Sequence, residues 1–274
     1  MVSITYGHGK LYDFETVTGW TERATTADGS FATDGDVVTL TKTGAGEYYI
    51  DNDDDIGKSS TIYTKIMWRY KTSDTSIKAK IVLEFTGAEG TQEVLADESS
   101  TTWKVGSATI TTAKTIDHIR LHADHAEGTV EYDFVLIYKN SFTFPTNQPE
   151  NMTFTPASRY AHLKPPSRIG DITQYMGSDN ATVDMICNLD VGVWKRTANP
   201  TDYIKGETFI DIHHNAKTEA WQWLDTETEQ FKVTLEPPRF RRDGRGHTVD
   251  LTFKEYRLGS ADSEEWYDRY GLNL

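Results

Sequence analysis

"GTVEYDFVLIYKN", residues 128–140, is rich in Val, Ile, Tyr and Phe, alternates with a period of two, and is bounded by Gly128 and Asn140. That pattern predicts an antiparallel strand with one face buried. Six more stretches of the same kind precede it: FATDGDVVTLTKTG (31–44), GEYYID (46–51), STIYTKIMWRYKT (60–72), SIKAKIVLEFTG (76–87), SATITTAK (107–114) and IDHIRLHAD (116–124). Each ends at Gly, Asp, Asn or Ser, or runs into a turn-forming segment. Strands at such spacing predict an all-β sandwich over residues 1–140.

Beyond residue 140 the pattern changes. Residues 141–168, SFTFPTNQPENMTFTPASRYAHLKPPSR, are rich in proline and carry no sustained periodicity, which predicts a linker or an extended entry arm. The domain boundary is expected near residues 140–146. ATVDMICNLDVG (181–192), FKVTLEPP (231–238) and GHTVDLTFKEYR (246–257) read as strands. NAKTEAWQWLDTE (215–227) reads as a helix, with Ala220, Trp223 and Leu224 sharing one face, and His213 and His214 fall near its start. Residues 141–274 are therefore expected to form an α+β domain, within a chain that is mainly β.

The 274 residues carry a formal charge of −14, which argues against a protein whose main task is to hold a nucleic-acid backbone. One cysteine, Cys187, excludes an intrachain disulfide framework and a four-cysteine zinc site. The opening MVSITYGHGKLYDF has no basic region followed by an apolar run, and no window approaches a membrane-spanning length. The expectation is a protein without membrane insertion.

No nucleophile elbow, phosphate loop or dinucleotide turn occurs, so no catalytic residue is assigned and the chain is expected not to be an enzyme. A carboxylate pair such as Glu84 and Glu131, brought onto one sandwich face, is what the alternative of a glycan hydrolase requires. The acidic DNDDDIG (51–57) reads as a solvated turn. Ile56 and Ile62 stand where a calcium loop needs its glycine and its bidentate glutamate. DHIRLHADH places His118 and His122 on one strand face, with His125 on the other or in the turn, and reads as surface histidines.

RFRRDGRGH gathers Arg239, Arg241, Arg242 and Arg245 at an expected hairpin tip, where arginine forks suit carboxylates across a subunit interface better than phosphates in so acidic a chain. SEEWYDRYGLNL closes the chain with Trp266, Tyr267 and Tyr270, aromatics expected to bury themselves against a neighbouring subunit. PPSRIGDITQYMG (165–177) has the two prolines of an extended entry and two glycines that permit turns, with Arg168 and Asp171 able to anchor the loop. It is expected to be an assembly element leading into the first strand of the second domain.

Two resemblances add to this reading. YDFETVTGWTE (12–22) together with IDHIRLHADHAEGTVEYDFVLIYK (116–139) resembles the jelly-roll carbohydrate-binding modules, in which Phe-Glu and Gly-Trp open the domain and a strand carrying an aspartate closes it. The resemblance implies aromatic sugar platforms, for which Trp68, Tyr70 and Trp103 are the candidates, with a core position the alternative for Trp68 inside TIYTKIMWRY. It also implies a structural calcium at Glu15 and Asp133, although Phe134 replaces the family's second acid. PSRIGDITQYMGSDNATVDMICNLD, FKVTLEPPRF and GHTVDLTFKEYR, in that order, resemble the tail and baseplate proteins of tailed viruses. Asn188-Leu189-Asp190 stands where that family more often has Gly-Leu.

The second resemblance implies a tail-tube-like domain at residues 141–274. It implies a homo-oligomeric ring in the virion tail, assembled in the host cytoplasm beside other tail and baseplate proteins, with the viral genome passing through its channel. The sandwich would project outward and either contact a host surface glycan or hold neighbouring tail components apart. The alternative is a carbohydrate-binding protein whose second domain is a scaffold. No cofactor beyond the structural calcium is expected.

Overall fold

The computed structural model describes residues 2–14, 17–24, 29–52, 55–87, 91–144, 151–163, 172–189, 206–226, 230–243 and 246–256. Two compact units emerge: His8–Lys139, and Met1–Gly7 together with Asn140–Leu274. Residues 1–7, expected in the sandwich, thus belong with the C-terminal part of the chain.

Through the first unit run β1 (Ser3–Tyr12, from His8 onward), β2 (Trp20–Ala24), β3 (Gly29–Asp34), β4 (Val37–Lys42), β5 (Tyr48–Asn52), β6 (Lys58–Ser59), β7 (Lys65–Thr72), β8 (Lys78–Phe85), β9 (Gln92–Glu98), β10 (Lys104–Thr109), β11 (Thr115–Asp124) and β12 (Gly128–Thr143, as far as Lys139). All the pairings recorded between these strands are antiparallel. One sheet places β10, β7 and β12 side by side, with β4 and then β3 beyond β12; the other runs β2-β5-β11-β8-β9, with β6 against β11. Alternation explains the layering. Leu40, Ile66, Trp68, Tyr70 and Val130 point inward from the first sheet and meet Tyr48, Ile50, Ile81, Leu83 and Leu121 from the second, all at 2% exposure or less. Each such burial contributes roughly 1.5–3 kcal/mol.

Two β-bulges interrupt that alternation and set which side chains face outward. In β11 the register shifts between Ile116 and His118, so Ile116 and Ile119 both reach the core and His118, Arg120 and His122 are turned to the outer face. In β12 it shifts between Tyr132 and Phe134. Tyr132 and Val135 both enter the core, and Asp133, unpaired at the bulge, forms an ion pair with Arg69.

The second unit holds residues 3–7 of β1, the end of β12, β13 (Asn151–Leu163), β14 (Ile172–Asn188), one helix α1 (Gly206–Ala216), β15 (Gln222–Asp225), β16 (Gln230–Leu235), β17 (Arg239–Asp243) and β18 (Gly246–Glu255). Strand order is β1-β15-β16-β18-β14-β13, with β17 also on β18. Phe209 and Ile212, one turn apart on α1, pack with Ile4, Val183, Leu224, Val233, Leu251 and Phe253 into one apolar core. Residues 3–5 belong here because they pair with Asp225, Leu224 and Trp223. The Gly7 amide also donates to Glu219 Oε1 at 2.5 Å.

The helix lies earlier than the sequence pattern placed it. Residues 222–225 form β15, gripped on both edges by β1 and β16, so Trp223 and Leu224 point to opposite faces of a sheet instead of sharing a helix face. Sheet pairing outweighs local helix preference there. His213 and His214 accordingly sit in the last turn of α1, not near its start, where the negative end of the helix dipole favours them. His213 Nδ1 lies 3.0 Å from the Leu235 carbonyl.

The hairpin β13–β14 is the longest in this unit. Thr182–Asn188 of β14 pair with β18, but Ile172–Asp179 pair only with Ala157–Leu163 of β13. Among the described residues, that half of the hairpin is a two-stranded ribbon.

Candidate functional site

The outer face of β5, β11 and β8 collects most of the sandwich's polar chemistry. Directly opposed residues share a face, and here the rows are Tyr49-His122-Lys80, Asp51-Arg120-Val82 and His118-Glu84. The Arg120 guanidinium is the brace between strands. Its Nε lies 3.2 Å from Asp51 Oδ2 and its Nη2 lies 2.6 Å from Glu84 Oε1, while its carbon stands 5.1 Å from the centre of the Tyr49 ring. His118 Nε2 bridges the same carboxylates, bonded to Glu84 and 3.6 Å from Asp51 Oδ2. Gln92 of β9 donates to Glu84 as well.

Tyr49 and His122 are stacked at 4.6 Å with 22° between their planes. His122 is 3% exposed. Burial above all, with the nearby Lys80 and Arg120 cations, lowers its pKa to about 3 against the pull of Asp124, so the ring is neutral in ordinary buffers. Its Nδ1 is 3.1 Å from Glu47 Oε1 but out of hydrogen-bond alignment, and neither ring nitrogen has a hydrogen-bond partner. Beside it Lys80 bonds Glu47 at 3.2 Å and Asp124 at 3.0 Å. Asp51 is 5% exposed. Burial is the main cause that raises its carboxyl, with Glu84 adding to it, while His118 and Arg120 pull the other way.

Such a face suits a polyhydroxylated ligand. A half-buried aromatic ring offers a surface for a sugar's apolar side, and planar guanidinium and carboxylate groups braced by each other offer oriented donors and acceptors. Because every brace crosses strands, the groups are ordered without the ligand, which lowers the entropy cost of binding.

The residues expected to carry sugar lie elsewhere. Trp68 and Tyr70 are 2% and 0% exposed in the sandwich core, which corrects their reading as platforms: in β7 they occupy the inward-pointing positions. The Tyr70 hydroxyl is turned to Glu98 Oε2 at 2.9 Å. Trp103 is partly exposed but lies just before β10 of the opposite sheet, with the Arg69 guanidinium carbon 4.8 Å and Lys71 Nζ 5.5 Å from its ring centre.

Asp133, the expected calcium ligand, holds Arg69 Nη1 at 2.7 Å in a nearly buried ion pair, and Glu15 lies outside the described residues. Among the described residues, no group of three His, Cys, Asp or Glu side chains is placed to hold a metal. Glu84 and Glu131 stand on different sheets, Glu131 bonded to Lys71 at 3.1 Å, so the two do not form a catalytic pair.

Of the assembly candidates, Arg239 and Arg241 are exposed on β17, which is a paired strand and not only a hairpin tip. Arg241 is ion-paired with Asp250 of β18, within the same hairpin. Only the backbone of Arg242 is described, and Arg168, Asp171, Arg245, Trp266, Tyr267 and Tyr270 lie outside the described residues. Sequence reading missed Tyr49, Asp51, Arg120 and His122 as one site. The signal was present in the equal spacing of Tyr49 and Asp51 on one strand and of His118, Arg120 and His122 on another, but their register was not.

No protein-family model and no curated protein matches the chain. Solved structures similar to part of it include the family 11 carbohydrate-binding module of the cellulosomal cellulase Lic26A-Cel5E of Clostridium thermocellum, at 16% identity over 48% of this chain and 95% of that one, TM-score 0.37. A family 29 carbohydrate-binding module from Piromyces equi matches at 16% identity over 52% of this chain and 91% of that one, TM-score 0.34. A further family 29 module matches at 10% identity over 50% and 87%, TM-score 0.34.

Proposed function

We propose that the chain binds glycan, without chemistry, through the outer face of the six-stranded sheet of its sandwich. The observation that carries this reading is the braced set around Arg120: one guanidinium holding Asp51 and Glu84 while lying against Tyr49, which is itself stacked on a neutral His122. Aromatic area and oriented polar groups on rigid strands are what saccharide recognition needs. The test is a glycan array probed with the full chain beside its Tyr49→Ala variant. Signals present in the parent and lost in the variant support the reading, and a well-folded parent silent across the array refutes it.

A second reading concerns what the sandwich is attached to. We propose that residues 1–7 and 140–274 are an assembly domain of a tailed-virus tail, forming a ring in the virion that carries the sandwich outward. The favouring observation is the ribbon formed by Ala157–Leu163 and Ile172–Asp179, which pairs with no third strand among the described residues. An isolated two-stranded hairpin is marginal in water, and pairing with the same ribbon of a neighbouring copy would stabilise it. Weak glycan contacts repeated around a ring would add up by avidity. Negative-stain images of the purified chain check this: closed rings support it, and a monomer at every concentration tested counts against it.

A further inference from the structure

The charges of the β5-β11-β8 face say which glycans it takes. Arg120 and Lys80 are each already held by two carboxylates, Arg120 by Asp51 and Glu84, Lys80 by Glu47 and Asp124. Further acids border it: Asp97 opposite Lys80 and within 3.1 Å of His125 Nε2, and Asp117 within 3.3 Å of His118 Nδ1. The register places Lys78 opposite Asp124 and the backbone of Arg23 opposite Tyr49. Lys78 lies at the end of its row and bonds Ser99 Oγ at 3.3 Å.

Among the described side chains, a carboxylate, sulfate or phosphodiester brought to the centre of this face meets only cations already paired with acids, Arg120 and Lys80. It must displace Asp51 or Glu84 from Arg120, or Glu47 or Asp124 from Lys80, and leave that acid beside it. The chain's overall charge of −14 opposes its approach as well. A neutral sugar avoids that cost, because its hydroxyls donate to the exposed carboxylates at the border of the face, Asp97 and Asp117, without displacing an acid from Arg120 or Lys80.

We infer that this face selects neutral, hydroxyl-rich glycans and rejects acidic ones: uronates, sulfated sugars and phosphodiester-linked polymers. The inference rests on the proposed glycan site and adds its ligand class. Like-charge juxtaposition is the discriminating element, a repulsive device more than an attractive one.

The test uses the full chain, with neutral hexose oligosaccharides and their uronic-acid and phosphodiester-linked counterparts of equal length, titrated calorimetrically at low and moderate salt. The expected result is binding of at least one neutral oligosaccharide that Tyr49→Ala weakens on the order of tenfold, with no binding of the acidic counterparts. Glu84→Gln, which removes one of the two acids on Arg120, is expected to admit weak, salt-sensitive binding of an acidic oligosaccharide. An acidic oligosaccharide bound by the parent more tightly than its neutral counterpart, in a Tyr49-dependent way, overturns the selectivity and leaves glycan binding standing. Failure to bind any saccharide, with thermal unfolding unchanged, overturns both.

Discussion

Tyr49 and His122, register partners on β5 and β11, lie nearly parallel 4.6 Å apart, and the stack buries an imidazole that has no hydrogen bond on either nitrogen. A ring kept neutral in this way links the candidate site to the stability of the sandwich.

Stability should fall in acid, partly through that ring. Folded His122 takes up a proton only near pH 3, whereas the unfolded chain's histidine does so near 6.5. Between those values the unfolded state binds more protons, so the contribution is intact above about pH 6.5 and is lost as the pH drops. By pH 4 the loss amounts to about 3 kcal/mol. His8, lowered to about 4 by burial, acts in the same direction. Asp51, raised mainly by burial, acts in the opposite one, favouring the folded state as pH falls into the carboxylate range. Urea unfolding of the parent and of His122→Phe at pH 7 and pH 4 should show a smaller acid loss in the variant; equal losses would remove His122 as a cause.

Breaking the pair between β7 and β12 should be costly. Arg69 and Asp133 have side chains only 12% and 5% exposed, so Asp133→Ala leaves a nearly buried guanidinium without its acid. The expected destabilisation is about 3 kcal/mol, read by denaturant unfolding. Because Arg69 also lies 4.8 Å from the Trp103 ring, tryptophan fluorescence of the folded variant should shift as well.

Gly106→Ala should destabilise the sandwich although it adds only a methyl group. A Cβ at that position would stand 2.5 Å from the indole of Trp68, itself fixed in the core at 2% exposure. Overpacking of this kind costs about 1–3 kcal/mol. A thermal melt indistinguishable from the parent's would show that Trp68 can yield.

Replacing residues 158–178 with a two-residue Asn-Gly turn removes most of the unshared ribbon and leaves the β14–β18 pairing intact. Under the proposed ring, the expected outcome is a parent that assembles and a variant that stays monomeric in light scattering, with the cooperative unfolding transition retained. An oligomer of unchanged mass would mean that the ribbon does not hold copies together.

How much of this was legible beforehand differs by element. The strands around Ile66–Tyr70, Ile81–Phe85 and Val130–Ile137 announced themselves because burying one face of a strand imposes a period of two. Strand β9 did not, since at an edge only Ala96 of its seven residues is buried, and Val94 is 58% exposed. The segment at Trp221–Asp225 carried a helix-like spacing that two flanking strands overrode.

From the sequence alone came the mainly β character and the placement of a boundary near residue 140. These depend on local pattern, which does not require knowing what touches what. The tertiary structure alone decided that residues 1–7 belong with the C-terminal unit, that Trp68 and Tyr70 are core, and that Tyr49, Asp51, Glu84, Arg120 and His122 share one face. Those facts rest on strand register and on single-residue bulges, and a shift of one residue exchanges the two faces of a strand without changing its sequence pattern.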